Sequence, residues 1–322
     1  MALHSGSRSI FIEAPLVLVS QISRSGGSLL AQLFDSHPQL YAHPWELRIA
    51  FSEHWDWPAL DPRAEPGEWF EALHDSKWEK IAAEGFAKAG RNPFAKEQRH
   101  PFTYSAEAQR ARFTELAAIH PVASSRDVLN CYFTSFFACW GEWSPTGREV
   151  AITAFIPRFA TRADSVQRFA TDYPDGRLIT ILRDPRSWYA SSKVVHYHKA
   201  SKLPEAIAEW VGWARRFDEL LDSAPVPTMG LLFEDLVLEP EETMRKVAAF
   251  IGIEFDDRLL EPSYAGRPVL PNSSFAMPGY GISAEVVRGR EIPKAAQSLI
   301  DEEAMPLYEQ LAARVRDALG AR

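Results

Sequence analysis

Residues 15–38 constrain this chain more than any other stretch: Pro15-Leu-Val-Leu-Val-Ser-Gln-Ile-Ser-Arg-Ser-Gly-Gly-Ser-Leu-Leu, running on to His37-Pro38. Leu16 to Val19 form a short apolar run rich in branched residues, the composition of a strand buried on both faces. Gln21 to Gly27 are too polar and glycine-rich to extend it. From Ser28 the apolar residues Leu29, Leu30, Leu33 and Phe34 recur at helical spacing. The helix should stop near Ser36-His37-Pro38, because proline disfavours helical backbone in the residue before it. A strand, a glycine loop and a helix start make an anion cradle, in which backbone N–H groups point out of the turn. The helix dipole adds about half a positive charge. Arg24 brings a full positive charge, and Ser25 and Ser28 bring hydroxyl donors. The loop matches neither G-x-x-x-x-G-K-[ST] nor G-x-G-x-x-G, since its cation precedes the glycines. Taken alone, it is also what an ordinary strand-to-helix turn looks like, with Gly26 and Gly27 relieving backbone strain.

A second segment favours the anion cradle. Leu178 to Leu182 is another apolar strand, broken at Arg183-Asp184-Pro185. A helix follows, with Asp184 as N-cap and Pro185 in its first position. Arg183 then stands at the carboxyl end of a strand, where open α/β sheets bind ligands. Ser191 lies two turns further on, able to turn to the same side. Two basic strand ends suggest two phosphates of one nucleotide. The plainer reading is a surface ion-pair cluster of Arg183, Asp184 and Arg186.

With both segments in view, the chain resembles sulfotransferases that use 3′-phosphoadenosine 5′-phosphosulfate (PAPS). Ser23-Arg-Ser-Gly-Gly-Ser-Leu-Leu30 resembles the family's 5′-phosphosulfate loop, in the arginine form of its bacterial and carbohydrate- or protein-modifying branches. Arg183 and Ser191 match the 3′-phosphate pair in type and spacing. Leu231-Leu-Phe-Glu-Asp-Leu, then Glu239-Pro240 and a helix ending in Phe250-Ile-Gly-Ile, resembles a third family segment. Asn272-Ser-Ser-Phe, followed by Arg288 and Arg290, resembles the C-terminal nucleotide-covering loop. The resemblance runs from residue 15 to about 290 and is weakest between 50 and 150. It implies a three-layer α/β/α fold around a parallel sheet, like P-loop nucleotide-binding proteins. On that basis residues 1–322 form one sulfotransferase domain, with an acceptor-side helical cap inserted at about 45–145. It further implies PAPS bound by Arg24, Ser25, Gly26, Gly27, Ser28, Leu29, Arg183, Ser191, Phe233, Ser274, Arg288 and Arg290. The expected reaction transfers a sulfuryl group to a hydroxyl on a small molecule, lipid or sugar. A nucleotide-dependent small-molecule kinase and an inactive nucleotide-binding protein are the other readings. The missing Walker lysine and Mg²⁺ signature count against the kinase.

Composition bounds the partners. Net charge of −8 argues against a generic nucleic-acid binder and against a heavily anionic polymer as acceptor. Cys131 and Cys139 suit neither a disulfide framework nor a zinc site, and are expected as reduced core thiols of a cytoplasmic protein. No apolar run approaches the ~18 residues of a membrane span, and residues 1–15 do not resemble a signal peptide. Further strands are expected at Ala151–Phe155 and Thr228–Phe233. Helices are expected at Asp164–Ala170, Arg110–Ile119 and Asp127–Trp140, with a C-terminal helical stretch broken or kinked at Pro306. Half of the ten tryptophans, at positions 45, 55, 57, 69 and 78, fall in or at the edge of the insertion. Most should fill its core, with Trp45 closest to the cleft.

Sulfuryl transfer needs a base for the acceptor hydroxyl, in-line positioning, and stabilisation of the departing phosphate. Arg24, the loop N–H groups and Ser28 would serve the last of these, with no metal required. Cytosolic relatives place a histidine after the strand that matches Ala151–Phe155, but here the chain continues Ile156-Pro157-Arg158. Other branches place a glutamate shortly after the first helix. Tyr41-Ala-His-Pro-Trp-Glu-Leu-Arg offers Glu46, the favoured base, and His43. A loop carboxylate paired with Arg48 is the plainer account of Glu46. Three departures from the family stand out. Gly27-Ser28 replaces a hydroxyl pair, Arg158 is the only substitute near Phe155 for a common lysine, and Phe233 stands where tyrosine is usual.

Overall fold

The computed structural model describes residues 10–49, 56–87, 92–194, 196, 202–287 and 291–320. Its centre is a five-stranded sheet: β1 (Leu16–Ser20), β2 (Leu40–Glu46), β3 (Ala151–Phe155), β4 (Arg177–Leu182) and β5 (Thr228–Leu232). The spatial order is β2-β3-β1-β4-β5, and all four pairings are parallel. Leu18 lies between Ala154 and Leu178, so the loop strand sits in the middle. Successive side chains of a strand point to opposite faces. Leu16 and Leu18 therefore enter one core and Val17 and Val19 the other, each fully buried.

The helices complete a three-layer sandwich. On the Val17 face lie α1 (Gly27–Phe34), through Leu30, Leu33 and Phe34, and later α9 (Phe233–Leu238) and α10 (Pro240–Ile251), through Leu236, Met244 and Val247. The Leu18 face is covered by the inserted helices α2 (Pro66–Leu73), α3 (Lys77–Glu84), α4 (Ala106–Ile119) and α5 (Ser125–Cys139). It also carries α6 (Ala163–Asp172), α7 (Pro185–Lys193), α8 (Leu203–Ser223), α11 (Lys294–Glu303) and α12 (Met305–Gly320). The α/β/α class expected from the sequence is the class observed.

Local signals explain most boundaries. Asp184 caps α7, accepting from the Ser187 N–H at 2.9 Å, with Pro185 in the first turn. Ser124 and Asp127 form a reciprocal capping box on α5. The C-terminal stretch breaks at Ala304, and Pro306 occupies the first turn of α12, where its missing N–H costs nothing. β5 stops at Leu232, one residue short of expectation, because Phe233 already begins α9.

The segment around Glu46 corrects the expectation of a loop. Leu40–Glu46 is an edge strand, carrying Pro44 at a register irregularity between Ala42 and Glu46. Proline is tolerated there because an edge strand has one unpaired side. In the insertion Trp57, Trp69 and Trp78 are buried, at 1%, 6% and 1% exposure, so they are core residues. Trp45 is half-buried and stands edge-on to Phe86, 5.1 Å between centroids. Trp55 lies outside the described residues.

Candidate active site

The carboxyl ends of β1, β3, β4 and β5 open into one cleft of about 290 Å³. Its floor is the loop between β1 and α1. Arg24 (φ 72°) and Gly26 (φ 107°) both adopt left-handed backbone, which reverses the chain within a few residues. Gly26 is also the N-cap of α1 and supplies no capping side chain, while its carbonyl accepts from Leu29 and Leu30. An uncapped helix start presents its leading N–H groups to an anion. A Cβ on Gly26 would come within 2.4 Å of the Phe233 ring, so glycine is needed there for conformation and for room.

Two guanidinium groups close the cleft. Arg183, 5% exposed, donates to Ser187 Oγ (2.9 Å), to the Arg24 carbonyl (2.8 Å) and to the Val286 carbonyl (3.0 Å). Its guanidinium carbon lies 4.2 Å from the centre of the Phe233 ring. Arg24 Nε donates to Ser191 Oγ at 3.2 Å, and Nη2 reaches the Asn272 carbonyl at 3.4 Å. Burial lowers the pKa of Arg183 to about 10. Glu234 opposes that shift, and the neighbouring charge of Arg24 adds to it. Arg24 is lowered by burial as well. Two cations, one buried and one half-buried, whose hydrogen bonds end mainly on neutral oxygens form a site that favours an anion.

Behind Arg183 stands Glu234, a half-buried carboxylate in the first turn of α9, just after β5. It accepts from Asp184 N–H (3.2 Å), Ser187 Oγ (3.3 Å) and Tyr308 OH (3.0 Å). Burial raises its pKa, and Arg183 pulls it back down. Glu234 and Tyr308 were not singled out from the sequence. The strand-end rule that marks Arg183 applies equally to Glu234, whereas Tyr308 arrives from α12 with no local signal.

The remaining candidates take distinct places. Gly26, Gly27, Ser28, Leu29, Ser191 and Phe233 line the cleft with Arg24 and Arg183. Ser25 is buried beneath the loop, and its hydroxyl has no hydrogen-bond partner. Ser274 lies behind Ser191, with 2.9 Å between their hydroxyls. Glu46 lines the opposite side of the cleft and pairs with Arg48 at 3.2 Å. His43 is not among the lining residues. It packs on Phe136 and edge-on to Trp78, and Nδ1 bonds the Trp45 carbonyl at 2.9 Å. Burial lowers its pKa to about 4. Arg158 also has φ in the left-handed region and pairs with Glu209 at 2.5 Å, while its Nε reaches Ser23 Oγ at 3.4 Å. Arg288 and Arg290 lie outside the described residues. Among the described residues no cluster of three or more His, Cys, Asp or Glu is arranged to hold a metal ion, and no helix is long and apolar enough to cross a membrane.

The fold is similar to the sulfotransferase domain of the Synechococcus PCC 7002 olefin synthase, with TM-score 0.55 and 17% identity, covering 95% of this chain and 98% of that one. A sulfotransferase from Alicyclobacillus acidocaldarius aligns with TM-score 0.47 and 15% identity, covering 95% and 97%. No curated protein sequence matches. A model of the sulfotransferase family matches residues 15–257, about three quarters of the chain and the span that carries Arg24 and Arg183, and the chain belongs to that family.

Proposed function

We propose that this protein transfers a sulfuryl group from PAPS to a hydroxyl on a small molecule, lipid or sugar. The observation that carries the reading is the joined pair of cations, half-buried Arg24 and buried Arg183, over an uncapped helix start. Three further features fit the nucleotide. Ser25 Oγ is buried without a partner. Gly26 and Gly27 line the cleft without side chains, so a ligand can approach the loop backbone closely. The Phe233 ring offers an apolar face beside Arg183.

When bound, PAPS would supply the activated sulfuryl group. Arg24, Ser28 and the leading N–H groups of α1 would hold its 5′ end and stabilise charge on the departing phosphate. Arg183 and Ser191 would hold the 3′-phosphate, with Ser274 fixing the Ser191 hydroxyl. The strand order puts these groups on the β1-β4-β5 side and Glu46 on the β2-β3 side. Glu46 would accept the proton of the acceptor hydroxyl there, with Arg48 steadying its carboxylate. Residues 1–322 are read as one domain whose insertion walls the acceptor side. Two unpaired cysteines suit a cytoplasmic setting.

Thermal melting with 3′-phosphoadenosine 5′-phosphate, ATP and NAD⁺ tests the nucleotide assignment. A ligand present at a hundred times its Kd adds about 2.7 kcal/mol of stability. Only the first should raise the melting temperature. Equal stabilisation by ATP would restore the kinase reading.

A further inference from the structure

Gly27 poses a question that its backbone does not answer. Unlike Gly26, it is not among the positive-φ glycines, so conformation does not demand glycine there. Space does. A Cβ on Gly27 would lie 2.3 Å from Nε2 and 2.4 Å from Oε1 of Gln21, and 2.6 Å from Cε2 of Phe155. The bare Gly27 backbone is therefore the surface on which the Gln21 amide rests.

Gln21 directly follows β1 and is 2% exposed, yet it lines the cleft. Its backbone carbonyl accepts from the Arg158 N–H at 2.8 Å, which fixes the residue where β1 meets the end of β3. Its Oε1 is buried without a hydrogen-bond partner. That oxygen is an acceptor and an anion does not complete it; what an anion can take is a hydrogen bond from the amide NH₂. The terminal torsion of glutamine is two-fold, so the amide can present either its oxygen or its NH₂. Facing an anion, it presents NH₂.

Position selects which part of the ligand it meets. Arg183 and Ser191 belong to β4 and α7, on one side of β1. Glu46 belongs to β2, on the other side beyond β3. Gln21, Gly27 and Phe155 meet at the β1–β3 boundary, between the nucleotide side and the Glu46 side. A group passing from one to the other crosses this boundary. We infer that the Gln21 amide donates a hydrogen bond to an oxygen of the transferred sulfuryl group, and that Gly27 is glycine to admit that amide. The inference rests on the nucleotide assignment above.

The experiment compares two ligands, 3′-phosphoadenosine 5′-phosphate, which lacks the sulfuryl group, and PAPS, by equilibrium binding without acceptor. Wild type must bind the diphosphate first; if it does not, the nucleotide assignment itself fails before any variant is judged. Gln21→Ala should leave diphosphate affinity and melting temperature nearly unchanged and weaken PAPS about 10–150-fold, the range for one hydrogen bond to a charged group. Gln21→Glu should weaken PAPS further, by repulsion. Gly27→Ala, which also crowds Phe155 and alters the nucleotide loop, should weaken both ligands but PAPS by the larger factor, and adding Gln21→Ala to it should cost no further PAPS selectivity. Equal affinity of Gln21→Ala and wild type for PAPS, equal losses for both ligands, or additive effects of the two substitutions on PAPS selectivity would each overturn the assignment.

Discussion

The guanidinium of Arg183 donates to the backbone carbonyl of Arg24 at 2.8 Å across 159 positions of sequence. The bond ties the carboxyl end of β4 to the left-handed turn that follows β1, so the two cations of the cleft are held as one unit. Arg183 thus has two duties: its charge faces the cleft, and its geometry braces the loop that carries the other charge.

That double duty sets the expected behaviour of Arg183→Ala. A 3′,5′-diphosphate should lose on the order of 1.5–3 kcal/mol of binding, as for removal of a charge-assisted pair. Adenosine 5′-phosphosulfate, which lacks the 3′-phosphate, should lose less, because only the bracing of Arg24 is removed. Calorimetry with both ligands separates the roles. Identical losses would mean that Arg183 acts solely through the loop.

Glu46→Gln keeps the shape of the side chain and removes its basicity. Turnover on a competent hydroxyl acceptor should fall by roughly 10²–10⁴, the usual range for general-base catalysis, with nucleotide affinity barely changed. The buried, low-pKa imidazole of His43 lies off the cleft, so His43→Gln should affect turnover far less. The reverse ranking, measured at matched nucleotide saturation, would move the base to His43.

His43 should instead appear in the pH dependence of stability. Its folded pKa, about 4, lies below the roughly 6.5 of an unfolded histidine. Between those values the unfolded state binds more protons, so stability falls as pH falls. The contribution is fully present above about pH 6.5 and is lost progressively toward pH 4, on the order of 3 kcal/mol in all. Denaturant unfolding of wild type and His43→Gln at pH 7 and pH 4.5 isolates the effect from other acids. Parallel losses in the two proteins would show that His43 is protonated within the fold.

Gly26→Ala should be more damaging to the fold than Gly27→Ala. Its φ of 107° disfavours any L side chain, and the new Cβ would press on Phe233 at 2.4 Å. A cost of about 1–3 kcal/mol is expected, together with weaker nucleotide binding, because Phe233 supports Arg183 at 4.2 Å. Thermal unfolding and diphosphate titration read both consequences. An unchanged melting temperature would show that the loop relaxes without strain.

The sequence alone was enough for four of the five strands and for the loop, and it marked Arg24 and Arg183, because each has a local cause. Leu16 to Val19 and Leu178 to Leu182 are apolar runs that only a buried strand accommodates, and Asp184-Pro185 is a helix start in two residues. The arginines at those strand ends could be assigned to one cleft before any coordinates. Tertiary structure decided the rest, because the causes lie far apart in the chain. Glu46 stands on an edge strand because β3, more than a hundred residues later, supplies its partner Phe155. His43 falls away from the cleft although it is only three residues from Glu46. Its ring enters the core formed by Trp78 and Phe136 of the inserted helices. Tyr308 reaches Glu234 from the last helix. Gly27 was expected in the phosphosulfate loop, with relief of backbone strain as the plainer reading, and only the packing shows that the Gln21 amide occupies the space its side chain would take. Local propensity acts over a few residues, whereas packing against distant segments decides which side chains reach the cleft.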